Sequence, residues 1–211
     1  MKIVLIVLLF LASYAHADSY RHMVSFGAGG FGWSGTFERM ETQSGSKFTD
    51  VEYFLHNISL NYAYRITKRF QLGGFIQSYT SRYTFHTTAG APKTELETQV
   101  LGAFLIYNFS DTLSSAWFTG FSFGVFQRND ETSHDVALAE SKKPFELDDS
   151  GEIYEVVIGK RFRLSKWKIE HLTFAPQLSV YYKDHGKDLD DQRIKNGIGM
   201  TFQPVKFDFL F

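Results

Sequence analysis

A glycine-rich stretch, GAGGFG at residues 27–32, has the spacing of a dinucleotide-binding loop. In that motif the backbone approaches a pyrophosphate, which binds at the amino terminus of the helix that follows. Glu52 also lies where an acid that binds the ribose would be sought. The residues from Trp33 to Phe37, however, have no helical character. The glycines are therefore better explained as a site of curvature or a bulge at Gly29–Gly30 in a β-strand.

Histidine and serine are the residues that a deacylase would need. Such an enzyme uses a serine nucleophile, a histidine base and an acid that orients the histidine. His134 lies between Ser133 and Asp135, and His185 has acids but no serine near it. Neither forms a His-x-Ser arrangement. The sequence therefore predicts no catalytic residues, with a lipid A-modifying enzyme as an alternative.

Two acidic segments contain the oxygen ligands that hard divalent cations prefer. Neither segment follows the D-x-[DN]-x-[DN]-G spacing of a calcium loop. Solvated charge is the simpler interpretation, and we predict no metal and no cofactor. The acids are Asp130, Glu131, Asp135, Glu140, Glu146, Asp148 and Asp149 in one segment, and Asp184, Asp188, Asp190 and Asp191 in the other.

Strands must position these residues, because the hydrophobic pattern repeats every two residues. In residues 54–64, for example, Leu60, Tyr62 and Tyr64 share one face, and Asn57 and Asn61 share the other. No comparable helical period appears. The segments with this alternation are roughly 20–36, 51–66, 70–85, 95–109, 116–128, 152–164, 170–183 and 193–211. Two N-x-S acceptor patterns, at Asn57 and Asn108, fall in or at the end of these strands and are interpreted as chance.

The amino terminus and the composition indicate export. One lysine precedes an apolar run from Ile3 to Ala12, and Ala15-His16-Ala17 follows, which is typical of a signal peptide. We expect cleavage after Ala17, leaving a single domain of residues 18–211. The net charge of −1 and the absence of a basic block predict no nucleic-acid partner.

Short connections alternate with long polar ones along the eight segments. This alternation predicts an all-β, eight-stranded antiparallel transmembrane β-barrel with short periplasmic turns and longer extracellular loops. A soluble, lipocalin-like barrel is the rival, and it would turn its apolar face inward. The membrane barrel also predicts an aromatic girdle near the short turns, formed by Tyr62, Tyr64, Phe70, Tyr107, Trp117, Phe162 and Trp167.

The chain ends in VKFDFLF, with apolar and charged residues in alternation. With the predicted signal peptide and eight strands, this ending resembles the small outer-membrane β-barrel proteins of OmpA/OmpX/OmpW type. The resemblance implies that Phe207, Phe209 and Phe211 form the signal read by the barrel assembly machinery. It also implies a monomer in the outer membrane of a Gram-negative bacterium, surrounded by lipid and lipopolysaccharide.

The interior of an eight-stranded barrel is just wide enough for side chains to fill it. We therefore predict a non-enzymatic protein with a structural or surface-interaction role through its extracellular loops. The alternative is a narrow, porin-like channel or a carrier for small apolar solutes. The predicted polar network of the lumen comprises Asn57, Asn61, Arg65, Gln99, Arg128, Glu155, Arg161 and Arg163.

Two further expectations concern this lumen and the last strand. Glu155 with Arg161 or Arg163, or with a residue of a neighbouring strand, would form an interior network, and Lys206 and Asp208 are expected to face inward. The apolar face of residues 193–211 changes parity at Gln203–Pro204. A one-residue slip moves every side chain to the other face, so we expect a bulge there and a locally weak pairing between the last two strands.

Overall fold

The computed structural model describes residues 20–34, 53–84, 93–130, 149–164, 171–185 and 197–211. Strands make up nearly all of these residues, and one short 3-10 helix, Leu113–Ser115, lies between β5 and β6. The strands are β1 (His22–Ala28), β2 (Phe31–Ser34), β3 (Tyr53–Arg65), β4 (Phe70–Thr84), β5 (Lys93–Asn108), β6 (Trp117–Asp130), β7 (Asp149–Lys160), β8 (Phe162–Arg163), β9 (Leu172–Phe174), β10 (Gln177–His185), β11 (Gly197–Gln203) and β12 (Val205–Leu210).

All strands belong to one antiparallel sheet whose hydrogen-bonded ladder returns to its start. The order runs β2-β11-β10-β7-β6-β5-β4-β3, and β3 pairs again with β2 through Tyr53 and Trp33. At the other end of the strands, β1 pairs with both β3 and β12, and β12 pairs with β9. The sequence prediction of an all-β antiparallel fold is confirmed.

The outer face of this sheet is apolar and its inner face carries buried charges, which is the reverse of a soluble barrel. Leu101, Ile76 and Val156 are 60%, 58% and 56% exposed on the outer face, whereas Arg161 and Asp208 inside are fully buried. A soluble barrel would expose its charges and bury its aliphatic side chains. The exposed apolar face is the surface that a barrel presents to lipid. No helix among the described residues is long and apolar enough to cross a bilayer.

The predicted bulge at Gln203–Pro204 is present. β11 ends at Gln203 and β12 begins at Val205. Gln177 lies opposite Gln203, but Phe174 lies opposite Phe207, so residues 204–206 oppose only residues 175–176. The inward face changes from odd-numbered residues in β11 to even-numbered residues in β12 as a result.

A second break separates β1 from β2 at Gly29–Gly30, where the glycine motif led us to expect curvature. Gly29 has a φ of 69°, in the left-handed region that favours glycine. A strand, Phe31–Ser34, follows instead of a helix. The motif therefore lacks the helix that a pyrophosphate site requires.

Several predicted features lie outside the described residues. They are the signal peptide of residues 1–17, Glu52, His134, Trp167 and all of the acidic positions between 131 and 148 and between 186 and 196.

Candidate functional site

The end of the barrel that carries the short connections, residues 66–69 and 109–116, is filled by a buried polar network. We call this the short-turn end. Arg161 lies directly after β7, and its side chain is fully buried. Asn108 and Gln71 enter from the adjoining ends of β5 and β4, and Asp208 enters from β12. Four different strands or strand ends thus converge on one guanidinium group.

The guanidinium of Arg161 is enclosed by acceptors. Its Nε donates to Asp208 Oδ2 at 2.6 Å, its Nη1 to Asn108 Oδ1 at 2.5 Å, and its Nη2 to Gln71 Oε1 at 3.3 Å. The plane of the ring of Phe118 lies beneath it, with Cζ 4.5 Å from the ring centroid. A buried charge persists only where a counter-ion and hydrogen bonds replace its water. This group meets that condition.

A second row of polar side chains crosses the barrel beside the Arg161 network. Lys206 Nζ donates to Gln177 Oε1 at 2.7 Å, and Gln177 Nε2 donates to Gln203 Oε1 at 3.2 Å. Gln203 Nε2 in turn donates to Ser59 Oγ at 3.1 Å. The row links β12, β10, β11 and β3, so it spans the bulged seam between the last strands.

An apolar layer completes the closure of the short-turn end. The 3-10 helix of the 109–116 connection buries Leu113 and Ser114. Leu113 packs in a cluster of buried side chains that also contains Phe118, Met23, Ile106 and Leu210. The short connection therefore contributes to sealing the barrel as well as joining two strands.

A small cavity lies further along the strands, above the Lys206 row. Its volume is about 50 Å³, and Glu155, Asn61 and Lys206 are among its lining residues. A neighbouring space of about 20 Å³ shares Glu155 with it. A cavity needs roughly 10–15 Å³ of such volume to hold one water, so the larger cavity has room for a few waters.

Aromatic side chains fill the barrel beyond the cavity. Lys183 is fully buried, and its Nζ lies 5.0 Å from the ring centroid of Tyr79, 5.3 Å from that of Tyr181 and 5.9 Å from that of Phe126. An ammonium group over several rings gains cation–π attraction. The described interior is therefore packed at two levels, and the two small cavities lie between them.

The structure distributes the predicted lumen residues over several environments. Arg161 and Asn61 are buried in the interior, and half-buried Glu155 lines the cavity and accepts a hydrogen bond from Ser122 Oγ at 3.0 Å. The predicted pairing of Glu155 with Arg161 is wrong, since the carboxylate bound to Arg161 belongs to Asp208. The inward orientation of Lys206 and Asp208 agrees with the prediction.

Three predicted lumen residues lie elsewhere. Gln99 is exposed on the outer face, because the inward residues of β5 are even-numbered. Those inward residues are largely apolar, as buried Val100 illustrates. Arg163 is exposed beyond the end of the long β7 strand. Arg65 is only half-buried and donates to the backbone carbonyls of Lys68 and Asp111, so it binds the short connections.

The side chains of two other predicted residues, Asn57 and Arg128, lie outside the description. Their backbones pair with Tyr79 and Asp149 respectively.

Sequence reasoning missed Asn108, Gln71 and Lys183. Asn108 belongs to an N-x-S pattern, yet it is fully buried at the centre of the network and inaccessible to modification. The signal that could have found Asn108 and Gln71 is their position, since both are polar residues at the strand ends that flank short connections.

The predicted aromatic girdle lies on the outer face. Tyr62, Tyr64, Phe70, Trp117 and Phe162 are exposed, Tyr107 is partly exposed, and Trp167 lies outside the described residues. Neighbouring rings are in contact, with 5.1 Å between the centroids of Phe70 and Tyr107. Of the terminal aromatic residues, Phe207 and Phe209 alternate with buried Asp208 and Leu210, and Phe211 stacks on His22 with centroids 5.5 Å apart.

Known structures share this architecture. Neisserial surface protein A, NspA, superposes with a TM-score of 0.58 at 12% identity, covering 90% of this chain and 97% of that chain. The outer membrane protein AlkL, in DMPC lipid bilayers, gives a TM-score of 0.53 at 11% identity over 93% of this chain and 95% of its own. OprG, an outer membrane protein from Pseudomonas aeruginosa, gives 0.52 at 13% identity over 92% and 94%.

The protein therefore has the fold of the outer-membrane β-barrel proteins. Neither a protein-family model nor a curated protein sequence matches the chain.

Proposed function

We propose that the protein is an integral outer-membrane barrel of eight transmembrane strands with a sealed interior and a structural or surface-interaction role. The twelve strands reduce to eight if each short break is counted as an interruption within one crossing. β1 and β2 then form one strand, as do β7 and β8, β9 and β10, and β11 and β12. An even number of antiparallel strands is typical of bacterial outer-membrane barrels.

The exposed apolar face and its aromatic girdle support location in a membrane. Aromatic side chains concentrate at the level of the lipid headgroups. Tyr62, Phe70 and Trp117 all adjoin the short connections, so the short-turn end would lie at the periplasmic interface. The longer connections, which carry most of the acidic residues, would then face outward from the cell.

The Arg161 network is the observation that supports a sealed barrel. Its side chains and the apolar layer around Leu113 occupy the interior at the short-turn end. The cavity above them measures about 50 Å³. A solute path through this interior would need the network to rearrange. We therefore assign the function to the surface of the barrel and its loops, without catalysis.

A carrier for small apolar solutes is the weaker alternative. The cavity beside the interrupted seam is lined by both polar and apolar side chains, among them Glu155, Lys206, Gln177 and Gln203 and also Phe75, Phe104, Ile106 and Val157. An apolar solute would displace water from the Glu155 carboxylate, whose described hydrogen bond comes from Ser122, and this is unfavourable. The cavity is better suited to a few waters.

Planar-bilayer conductance tests the sealed interior. Folded protein, identified by heat-modifiable gel mobility and recovered from outer-membrane fractions, should show no discrete current steps. The variant Arg161→Ser/Asp208→Ser removes the ion pair of the Arg161 network; because the rings around Lys183 still fill the other level of the interior, we expect steps only when Tyr79→Ala and Phe126→Ala are added, and none from the surface variant Lys68→Ser. Reproducible steps from the unaltered protein would refute the proposal. A change in lipid A mass spectra on overproduction would instead reveal catalysis.

A further inference from the structure

A lysine interrupts the apolar outer face of β7 at the short-turn end. Val156 and Ile158 are exposed on that face, and Lys160 is its next member. A lysine facing lipid is destabilising at the midplane of the bilayer and tolerated near the interface. Lys160 pairs in register with Trp117, the first residue of β6, so its ammonium lies at the edge of the apolar band.

Two exposed aromatic rings hold this ammonium in place. Lys160 Nζ lies 5.1 Å from the ring centroid of Trp117 and 5.1 Å from that of Phe162. Tryptophan favours the level of the headgroups because it has an apolar body and one polar N–H. We call these three side chains the Lys160 platform. It presents a fixed cation between two rings on the surface that faces lipid.

The protein itself does not neutralise this cation within the part of the chain that the structure describes. No carboxylate there lies within ion-pair distance of Lys160 Nζ. The acid of the 109–116 connection, Asp111, instead pairs with Arg69 at 2.9 Å. Within the described residues the Lys160 platform thus presents an exposed cation without a carboxylate partner.

We propose that the Lys160 platform binds the phosphodiester headgroup of an anionic phospholipid in the periplasmic leaflet. This inference rests on the proposed function, because it requires the short-turn end to lie at that interface. The phosphodiester supplies the missing negative charge, and the acyl chains can pack along the exposed Val156 and Ile158 side chains. Basic residues at a membrane surface attract anionic lipids in this manner.

Native mass spectrometry of the folded protein tests the site. The protein is released from micelles that contain equal amounts of phosphatidylglycerol and phosphatidylcholine, and the bound lipids are counted. We expect the unaltered protein to retain phosphatidylglycerol preferentially, and Lys160→Gln to lower that preference about fivefold. Lys160→Arg keeps the charge and should retain the preference. Lys68→Gln is the matched control, since it removes an exposed lysine of the short-turn end that lies over no ring among the described residues.

Heat-modifiable mobility, measured for every variant, separates the two proposals. Protein that inserts into bilayers but binds both lipids equally would overturn the lipid site alone. An equal loss in Lys68→Gln would also overturn it, because the effect would then be general rim charge. A Lys160-dependent preference for lipopolysaccharide over phosphatidylglycerol would overturn the assignment to the periplasmic leaflet. Failure of the unaltered protein to insert would overturn both proposals.

Discussion

Removing the charge of Asp208 should destabilise the barrel more than removing Arg161. Among the fully or nearly fully buried residues of the described chain, Asp208 is the only carboxylate, whereas Arg161, Lys183 and Lys206 are cations. Asp208→Asn leaves Arg161 buried without its counter-ion, and leaves Lys206 with only the Glu155 carboxylate across the cavity. Breaking a buried ion pair on one side costs about 3–5 kcal/mol. We expect a loss in that range for Asp208→Asn.

Arg161→Met should cost less, because Asp208 keeps Lys206 as a neighbouring cation on the same inward face of β12. The double variant Arg161→Met/Asp208→Asn removes both charges. Its free energy of unfolding should fall by about 2 kcal/mol less than the sum of the two single losses. Replacing both members of a buried ion pair by neutral side chains is often close to neutral.

Urea unfolding in lipid vesicles, followed by tryptophan fluorescence and gel mobility, gives these free energies. Lys68→Gln is a suitable control for a change of charge, since Lys68 is exposed in the short connection of residues 66–69. The coupling of Arg161 and Asp208 would be refuted if each single variant lost less than about 1 kcal/mol and the two losses added to within about 0.5 kcal/mol, because independent sites behave additively.

Three further predictions concern the sheet and its short connections. Gly73→Ala should lower stability by about 1–3 kcal/mol, because its Cβ would meet the backbone of the adjacent strand, while Gly74→Ala should be nearly neutral; equal effects would contradict this. The hydrogen bond from Arg69 lowers the pKa of the Asp111 carboxyl, so NMR titration should find a midpoint below that of ordinary aspartate, which Arg69→Gln should raise. The Arg69–Asp111 pair stabilises the fold above the ordinary aspartate pKa, and this stabilisation is lost as the pH falls through the lowered pKa. A titration midpoint of Asp111 that Arg69→Gln does not move would contradict this. Amides beside Pro204 should exchange faster than those in the centre of β5, and equal protection would argue against a weak seam.

The strands and their outward faces were accessible from the sequence because alternation is strong where one face meets lipid and the other is polar. β3 illustrates this, with exposed Leu60 and Tyr62 on either side of buried Asn61. The parity change at Pro204 could also be predicted from the sequence, since aromatic residues mark the outward face both before Pro204 and after it.

The partners within the lumen were not accessible in the same way. β5 is apolar on both faces between Val100 and Ile106, so its alternation does not show which side Gln99 takes. The partner of Arg161 depends on the stagger between strands that are 47 residues apart along the chain. That stagger is fixed by cross-strand register, which one strand's pattern does not contain.

Site-directed spin labelling along β5 tests the central claim most directly. The chain has no cysteine, so each introduced cysteine is a unique label site. Labels at Leu101 and Leu105 should be accessible to oxygen and protected from an aqueous nickel complex, because these side chains face the bilayer. Labels at Val100 and Ile106 should be protected from both reagents, because these positions are buried in the packed interior. Nickel-accessible labels at Leu101 and Leu105 in vesicle-reconstituted protein would contradict the inside-out barrel described above.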